Sequence, residues 1–435
     1  MIQRCLTILA IVAVAAFPFS PAAAQFSETS QPPCYDALGN LVACPAGVAI
    51  ADSAARAVSI WGGARHGIAL KSDGAVWAWG INLHGMLGDG TLTERHVPVQ
   101  VHGPSDVGYL STITAIMGGE QHNFALKSDG TVWAWGWNGF GQLGDGTYTD
   151  SYTPVQVSGL VSVTALGGRG YHSLAIDSGG SVWAWGWNSY GQLGITTDIT
   201  RTAVPTQVLG LSGVLTVTGG YNFSLALMPD HTLRAWGCNT NGELGNGTYT
   251  STSVPVAVTG LSSVSQVSAG WKHVVALKSD GTVWTWGQNV NGQLGNGITS
   301  TLGVSVPTQV SGLSNVIAVS GGDCHTAALK SDGTVWTWGC NNSTGHAAGN
   351  FELGDGTNIE RHSPVQVVGL SNVSAIAARD YHNYAIKSDG TVWAWGWNIN
   401  GQLGDNTTVD RNIPVQIQFP FTPTSWIYLP LVSFR

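Results

Sequence analysis

The amino-acid sequence predicts an all-β fold, a seven-bladed β-propeller of four-stranded blades, on three observations. The phrase Leu126-Lys-Ser-Asp-Gly-Thr-Val-Trp-Ala-Trp-Gly136 recurs seven times with small changes. Its first tryptophan falls at Trp77, Trp133, Trp183, Trp284, Trp336 and Trp393, with Arg234 in the fourth copy, so the spacings are 56, 50, 51, 50, 52 and 57 residues. A period near 50 belongs to propeller blades rather than to helical hairpins. Within each unit the apolar runs are short, β-branched or aromatic, bounded by Gly and Asp-Gly, and carry no helical period. Third, 59 glycines and 19 tryptophans stand against only 17 basic and 25 acidic residues in 435, while a hydrophobic fraction of 43% suffices for a core. That balance excludes a disordered chain.

Taken in order, the chain opens with Arg4, an apolar run from Leu6 to Phe17, then Pro18, Pro21 and Ala22 to Ala24. This order reads as a secretory signal peptide, residues 1–24, and places the protein outside the cell or on its surface. The apolar run is shorter than the roughly 20 residues of a membrane span, so no integral membrane segment is expected after cleavage. Residues 25–54 form an N-terminal segment in which Cys34 and Cys44 flank a Leu38-Gly39-Asn40 turn symmetrically, the arrangement of a disulfide-closed hairpin. Residues 55–418 carry the repeats, and residues 419–435 an apolar tail with Pro430, which suits an edge strand or packing across one end of the ring.

Each repeat supplies four strands: a run such as Ile113 to Ile116, then Gly-Gly, then His122 to Leu126, then a Ser-Asp-Gly-Thr turn, then Val132 to Trp135, and finally Pro154 to Val157. Asp-Gly between apolar runs marks a tight hairpin. Loop length suggests where one blade stops. The link from Pro-Val-Gln-Val to the next apolar run is short and the path from Gly136 to Pro154 is long, so the long path is expected to cross between blades. The last outer strand, Pro414 to Ile417, would then complete the blade begun by Val58 to Trp79 and close the ring.

Among the later cysteines, a two-residue turn at Asp332-Gly333 would place Cys340 opposite His325 and put the Cys324 and Cys340 thiols on opposite faces. This weighs against that bridge and leaves the pairing of Cys238, Cys324 and Cys340 open.

A net charge of -8 with no run of Lys and Arg speaks against nucleic-acid binding. Gly-x-Ser-x-Gly, His-Glu-x-x-His and a phosphate-cradling loop ending in Lys-Ser or Lys-Thr are all missing from the sequence, so no catalytic residue, enzymatic activity or cofactor is expected. His66, His122, His172, His273, His325 and His382 hold one position in six units, with Phe223 in the other. A metal needs ligands converging on one point, whereas one histidine per blade is spread round a ring. Packing, with the ring nitrogens bonded to backbone, is the expected role, and no metal site is assigned. Asp73, Asp129, Asp280, Asp332 and Asp389 read as turn residues, and Glu94-Arg95, Glu360-Arg361 and Asp410-Arg411 as local surface ion pairs.

The pattern Gly-x-x-His, Ala-Leu, Asp-Gly-x-Val-Trp-x-Trp-Gly-x-Asn-x-x-Gly-Gln-Leu-Gly, seven times in register over residues 55 to 418, resembles the repeat of the regulator of chromosome condensation family. The resemblance implies a seven-bladed propeller. It also implies a binding habit. Founding members act in the nucleus on chromatin and as nucleotide exchangers for a small GTPase, and secreted members with similar bacterial repeats are binders, an inhibitor of β-lactamases among them. The signal peptide and the acidic balance favour the secreted type, and a monomer is expected.

Strand parity locates the variable surface. The Ser-Asp-Gly and Gly-Leu-Ser turns share one face and hardly vary; the Gly-Gly-x-x loops and the starts of the long loops share the other and do. That second face carries Arg65, Glu120, Gln121, Arg169, Tyr171 and Tyr221, and further round Trp271, Lys272, Asp323, Arg379, Asp380 and Tyr381. Trp137, Phe140, Trp187, Tyr190 and Trp397, at the starts of long loops, join it as further aromatic candidates. Aromatic residues and arginine are what protein interfaces enrich. The expected function is a secreted, non-enzymatic scaffold that binds a macromolecule, a protein first, with carbohydrate binding or processing and nucleotide exchange on a GTPase as alternatives.

Overall fold

A computed structural model describes residues 34–35, 41–42, 55–195, 199–342 and 350–420. Cys34–Tyr35 and Leu41–Val42 pair antiparallel, with Cys34 opposite Val42. The Cys34–Cys44 bridge, the signal peptide and the tail beyond Phe419-Pro420 lie outside the described residues. From Ala55 onward the chain forms seven four-stranded antiparallel sheets, so the predicted all-β propeller is what is observed.

Each sheet is four consecutive strands. The second blade is Ile113–Gly118, His122–Lys127, Val132–Gly136 and Ser151–Gln156, and the seventh is Val373–Arg379, His382–Lys387, Val392–Gly396 and Arg411–Ile417. This corrects the expected closure. The outer strand Arg411–Ile417 pairs with Val392–Gly396 of its own blade, with Ala394 opposite Val415, and the first blade is completed by Arg95–Gln100. The short Gly-Leu-Ser link is therefore the step between blades, and the long loop stays inside one.

Loop length misleads here because the long loop is itself folded. Asn138 is fully buried at its centre; its Nδ2 donates to Asp145 Oδ1 at 3.2 Å and to the carbonyls of Thr147 and Thr149 at 3.1 Å each, while its Oδ1 accepts from Leu143 N at 2.9 Å. One asparagine thus folds the loop back on itself. The same device holds Asn398 in the seventh blade. The arginines that follow such loops bond the loop aspartate, not the acidic neighbour expected from sequence: Arg95 to Asp89, Arg361 to Asp355 and Arg411 to Asp405.

The ring closes through side chains. The second tryptophan of every blade is fully buried, and its Nε1 donates to a backbone carbonyl in the long loop of the preceding blade, as Trp135 does to Met86 O at 3.0 Å and Trp185 to Gln142 O at 2.8 Å. Trp79 of the first blade makes the same bond to Gln402 O of the seventh at 2.8 Å. Tyr384 and Phe419 pack edge-on against Trp79, with ring centres 5.7 and 5.9 Å away. The second tryptophans of the Val-Trp-x-Trp-Gly strands thus form the cores between blades.

The histidines are structural, and the bonding differs from expectation. His66 Nε2 lies 2.9 Å from Asn123 Oδ1, His172 Nε2 2.9 Å from Ser224 Oγ, His273 Nε2 2.9 Å from Thr326 Oγ1 and His325 Nε2 2.9 Å from Asn383 Oδ1. Each partner is the residue after the aligned position in the next blade, so the contacts run round the ring as a belt. Each partner also gives a hydrogen to a carbonyl: Ser224 to Gln192 O, Thr326 to Gln293 O, and the amides of Asn123 and Asn383 to Met86 O and Glu352 O. The hydroxyl or amide oxygen is then left to accept, which puts an imidazole hydrogen on Nε2, while the buried Nδ1, with no partner among the described residues, keeps the ring neutral. The belt is broken at Phe223 with its neighbour Val274, where both partners are apolar, and at His382, where Gly67 of the first blade stands at the partner position. The rings lie on the second glycine of Gly-Gly-x-x: a Cβ at Gly119 would overlap His122. Thr326→Val keeps the shape of the side chain and removes the acceptor, and should lower stability by about 1–3 kcal/mol, read as a drop in the urea midpoint at unchanged slope.

The hairpin turn also differs from the sequence reading. His325 lies opposite Gly339 and Leu329 opposite Val335, with Lys330 N bonded to Thr334 O at 2.9 Å, so three residues rather than two form the loop. Gly333 takes a φ of +77°, the left-handed residue that a three-residue hairpin loop requires. The added residue shifts the register by one and brings Cys324 opposite Cys340, with Cys340 N bonded to Cys324 O. Cys324 and Cys340 form a disulfide with Cα atoms 5.5 Å apart, and Cys238 is buried and outside any disulfide.

Candidate functional site

The innermost strand of each blade and the strand after it meet in the Gly-Gly-x-x loop, so all seven such loops surround the axis at one end of the ring. Backbone bonds join them in a crown: Ala64 N to Glu120 O at 3.0 Å, Glu120 N to Gly170 O at 3.0 Å, Tyr221 N to Trp271 O at 3.0 Å, Trp271 N to Gly322 O at 3.2 Å and Asp323 N to Asp380 O at 3.1 Å. The long loops begin at the same end, since Trp137 N bonds Gln121 O and Trp187 N bonds Tyr171 O. The Gly-Gly-x-x loops and the starts of the long loops thus share one end of the ring.

Its residues separate into two groups. The charged group is buried on the axis. Arg169 of the third blade is 2% exposed and reaches across the ring, donating through Nη1 to Ala269 O at 3.1 Å and Gly321 O at 2.8 Å, and through Nη2 to Asp323 Oδ1 at 3.0 Å and Asp380 Oδ1 at 3.4 Å. Glu120 brings a third carboxylate within 4.8 Å of those two. Arg379, also buried, lies over the Trp61 ring at 4.0 Å, and Trp61 Nε1 bonds Gly118 O. Burial, with Asp380 beside it, pushes the Glu120 carboxyl up to about 8 against the pull of Arg169 and Arg379. The same two causes raise Asp323 well above the ordinary carboxylate range.

Arg169, Asp323, Arg379 and Asp380 are therefore not exposed interface residues as expected from sequence. The repeat gives their height along a strand but not their distance from the axis, and at the axis seven strand ends crowd together. The three carboxylates could be taken for a metal site, but the Arg169 guanidinium already occupies the space between Asp323 and Asp380. Of the charged candidates, Arg65 is exposed and lies over the Trp397 ring at 4.9 Å, and Lys272 lies 5.7 Å from the centre of Trp271.

The aromatic group stays at the surface. Trp137, Phe140, Tyr171, Trp187, Tyr190, Tyr221 and Trp271 are half-buried and touch one another in one continuous arc over blades two to five. Trp137 meets Tyr171 at 5.0 Å, Phe140 stacks on Trp187 at 5.2 Å with ring planes 9° apart, Tyr171 meets Tyr221 at 5.8 Å, Trp187 meets Tyr190 at 5.5 Å, and Tyr221 meets Trp271 at 5.1 Å. Burial raises the Tyr171 hydroxyl, and burial with the Glu120 charge pushes Tyr221 up to about 12, so both remain neutral donors. Tyr381 lies apart, packed edge-on against the buried Trp397 at 5.8 Å. Gln121 is half-buried at the base of the arc, where its carbonyl receives Trp137 N. The sequence reading identified these aromatics as two separate sets, and only the ring geometry merges them.

Residues 39–261 match the RCC1-like domain, and residues 280–329, 332–386 and 389–427 match the regulator of chromosome condensation (RCC1) repeat. The ultraviolet-B receptor UVR8 of Arabidopsis thaliana is 33% identical over 349 residues, covering 78% of this chain and 77% of that protein. The mitochondrial RCC1 domain-containing protein RUG3 of the same plant is 32% identical over 356 residues, 81% of this chain but 56% of RUG3, so the chain spans little more than half of that relative. Human WBSCR16 has the same ring, with a TM-score of 0.69 at 26% identity over 80% of this chain and 94% of its own. Prp20p of Saccharomyces cerevisiae, whose structure was described with its binding to Gsp1p and histones, shares the fold with a TM-score of 0.67 at 22% identity over 80% and 87%. With seven repeats in register, seven closed blades and these matches, the chain belongs to the RCC1 repeat family.

Proposed function

We propose that this chain is an exported binding propeller that engages a protein partner through the aromatic arc of blades two to five, without catalysis. The arc carries the reading. A repeated framework has no structural need to differ between blades at the first position of the long loop, yet half-buried Trp137 and Trp187 stand there in neighbouring blades, while Ile81, Cys238, Gln288 and Cys340 hold the same place in four others and the buried Trp397 in the seventh. Large, stiff side chains with a polar tip supply contact area at low entropic cost, which is why they dominate interface energetics. Export rests on the leader-like residues 4–24 and agrees with the Cys324–Cys340 disulfide. The partnership with Gsp1p and histones is that of Prp20p.

Trp187, Tyr221 and Trp271 replaced together by alanine should weaken partner binding by about 2–4 kcal/mol, roughly 30- to 1000-fold. Replacing Asp129, Asp280 and Asp389 by asparagine at the other end of the ring should leave it unchanged, because asparagine keeps the turn. The measurement is titration of a partner captured from exported and surface proteins, with circular dichroism confirming both folds. Loss of binding in the aspartate set alone would place the interface at the wrong end. Selective binding to a glycan array, or accelerated nucleotide release from a small GTPase, would each replace the protein-scaffold reading.

A further inference from the structure

Cys340 and Glu352 occupy repeated positions with a shared irregularity. The residue after Trp-Gly is cysteine in two blades, Cys238 and Cys340, and those are the two blades in which glutamate replaces the usual glutamine before Leu-Gly: Glu243 and Glu352, against Gln142, Gln192, Gln293 and Gln402. Only the sixth blade adds a second sulfur, Cys324, where the fourth has Asn222. Cys324 is half-buried, Cys340 and Glu352 are fully buried, and one ligand atom from each lies within 4.8 Å of the others. Cys340 Sγ is 3.7 Å from Glu352 Oε1.

In the disulfide form Glu352 Oε1 lies against Cys340 Sγ, a sulfur with no hydrogen to give. In the reduced form it faces two thiols. Zinc held by thiolates at about 2.3 Å and a carboxylate oxygen at about 2.0–2.2 Å in a tetrahedron places the sulfurs roughly 3.8 Å apart and sulfur and oxygen roughly 3.5 Å apart. The observed sulfur–oxygen separation is close to that edge. The 5.5 Å between the cysteine Cα atoms lets both side chains turn to one point.

We propose that Cys324, Cys340 and Glu352 form a redox-gated zinc site: closed as a disulfide, and open as a dithiol–carboxylate that binds one Zn(II) with its fourth position left to water. Opening requires a dithiol reductant. Two electrons from it break the S–S bond, the two protein sulfurs each take up a proton, and the reductant becomes its own disulfide. Zn(II) then forms two Zn–S bonds and one Zn–O bond and releases the two thiol protons to solvent. Two thiolates and one carboxylate outweigh the dication by one charge, which favours water, neutral or ionised, as the fourth ligand only weakly and keeps the site exchangeable.

The test uses the full chain and zinc alone. Titrated calorimetrically after reduction under argon, the chain should bind one equivalent of Zn(II), and the untreated chain none at this site. Cobalt(II) in place of zinc should show thiolate-to-metal charge-transfer absorption in the near ultraviolet. Cys340→Ser should abolish that band. Glu352→Gln, which installs the residue four other blades already carry, should leave fold and disulfide intact and weaken zinc binding at least tenfold. Absence of zinc binding by the reduced chain, binding unchanged in Cys340→Ser, or full affinity in Glu352→Gln would each overturn the proposal. The fourth blade is an internal control, since Cys238 and Glu243 remain in every variant.

Discussion

Between pH 7 and pH 5 the propeller should lose most of its stability, because its histidine belt folds only in the neutral form. His66 and His325 are held down to about 4 and His122, His172 and His273 to about 3, chiefly by burial, and His382 is lowered too. Nδ1 of each has no hydrogen-bond partner among the described residues, so an imidazolium would bury an unsatisfied N–H. The unfolded reference is near 6.5. For a depressed pKa the contribution to stability is fully present above the unfolded value and is lost as pH falls toward the folded one. By pH 5 this costs about 1–2 kcal/mol per histidine, and six together approach the roughly 5–15 kcal/mol that holds a typical domain. Urea midpoints at pH 7, 6 and 5, read by tryptophan fluorescence, should fall steeply. The paired change His273→Phe with Thr326→Val, which copies the natural Phe223–Val274 pair, should reduce the slope by about one proton. Midpoints independent of pH over this range would show that the belt tolerates charge.

Removing the axial arginine should have the other large effect. Arg169→Met leaves Asp323 and Asp380 buried without their guanidinium, and breaking such a buried pair from one side costs about 3–5 kcal/mol. Adding Asp323→Asn and Asp380→Asn to the same chain should restore much of it, a coupling that a double-mutant cycle by urea unfolding at pH 7 measures. The Glu120 side of this network works against the histidines. Its raised pKa makes its contribution full below the unfolded value near 4.3 and lost as pH rises through about 8. Glu120→Gln should therefore flatten the loss toward pH 8 and, because the same window reaches down to about 4.3, steepen the histidine-driven loss between pH 7 and 5 by about one proton. Additive losses from Arg169→Met and the aspartate changes would mean that the three side chains do not act together.

Local chemistry specifies the repeating unit, and that much was legible before any coordinates. Val-Trp-x-Trp-Gly, the glycine pair before each histidine and the period near 50 residues are short-range signals, and each blade obeys them because its strands pair with sequence neighbours. The family resemblance rests on the same repeated motif, and strand parity puts the Gly-Gly-x-x loops and the starts of the long loops at one end of the ring. Three features escaped for one reason each. The blade boundary was misplaced because Asn138 and its equivalents make a long loop compact, and loop length carries no record of those bonds. The Cys324–Cys340 bridge was disfavoured because one extra turn residue, accommodated by the positive φ of Gly333, reverses the face on which Cys340 stands. Arg169, Asp323, Arg379 and Asp380 looked like surface because their sequence position fixes height along the axis and nothing else. Distance from the axis, the crossing of Arg169 to three other blades and the joining of seven aromatics into one arc arise only when the ring closes, since each brings together side chains from different blades whose separation in the sequence bears no relation to their separation in space.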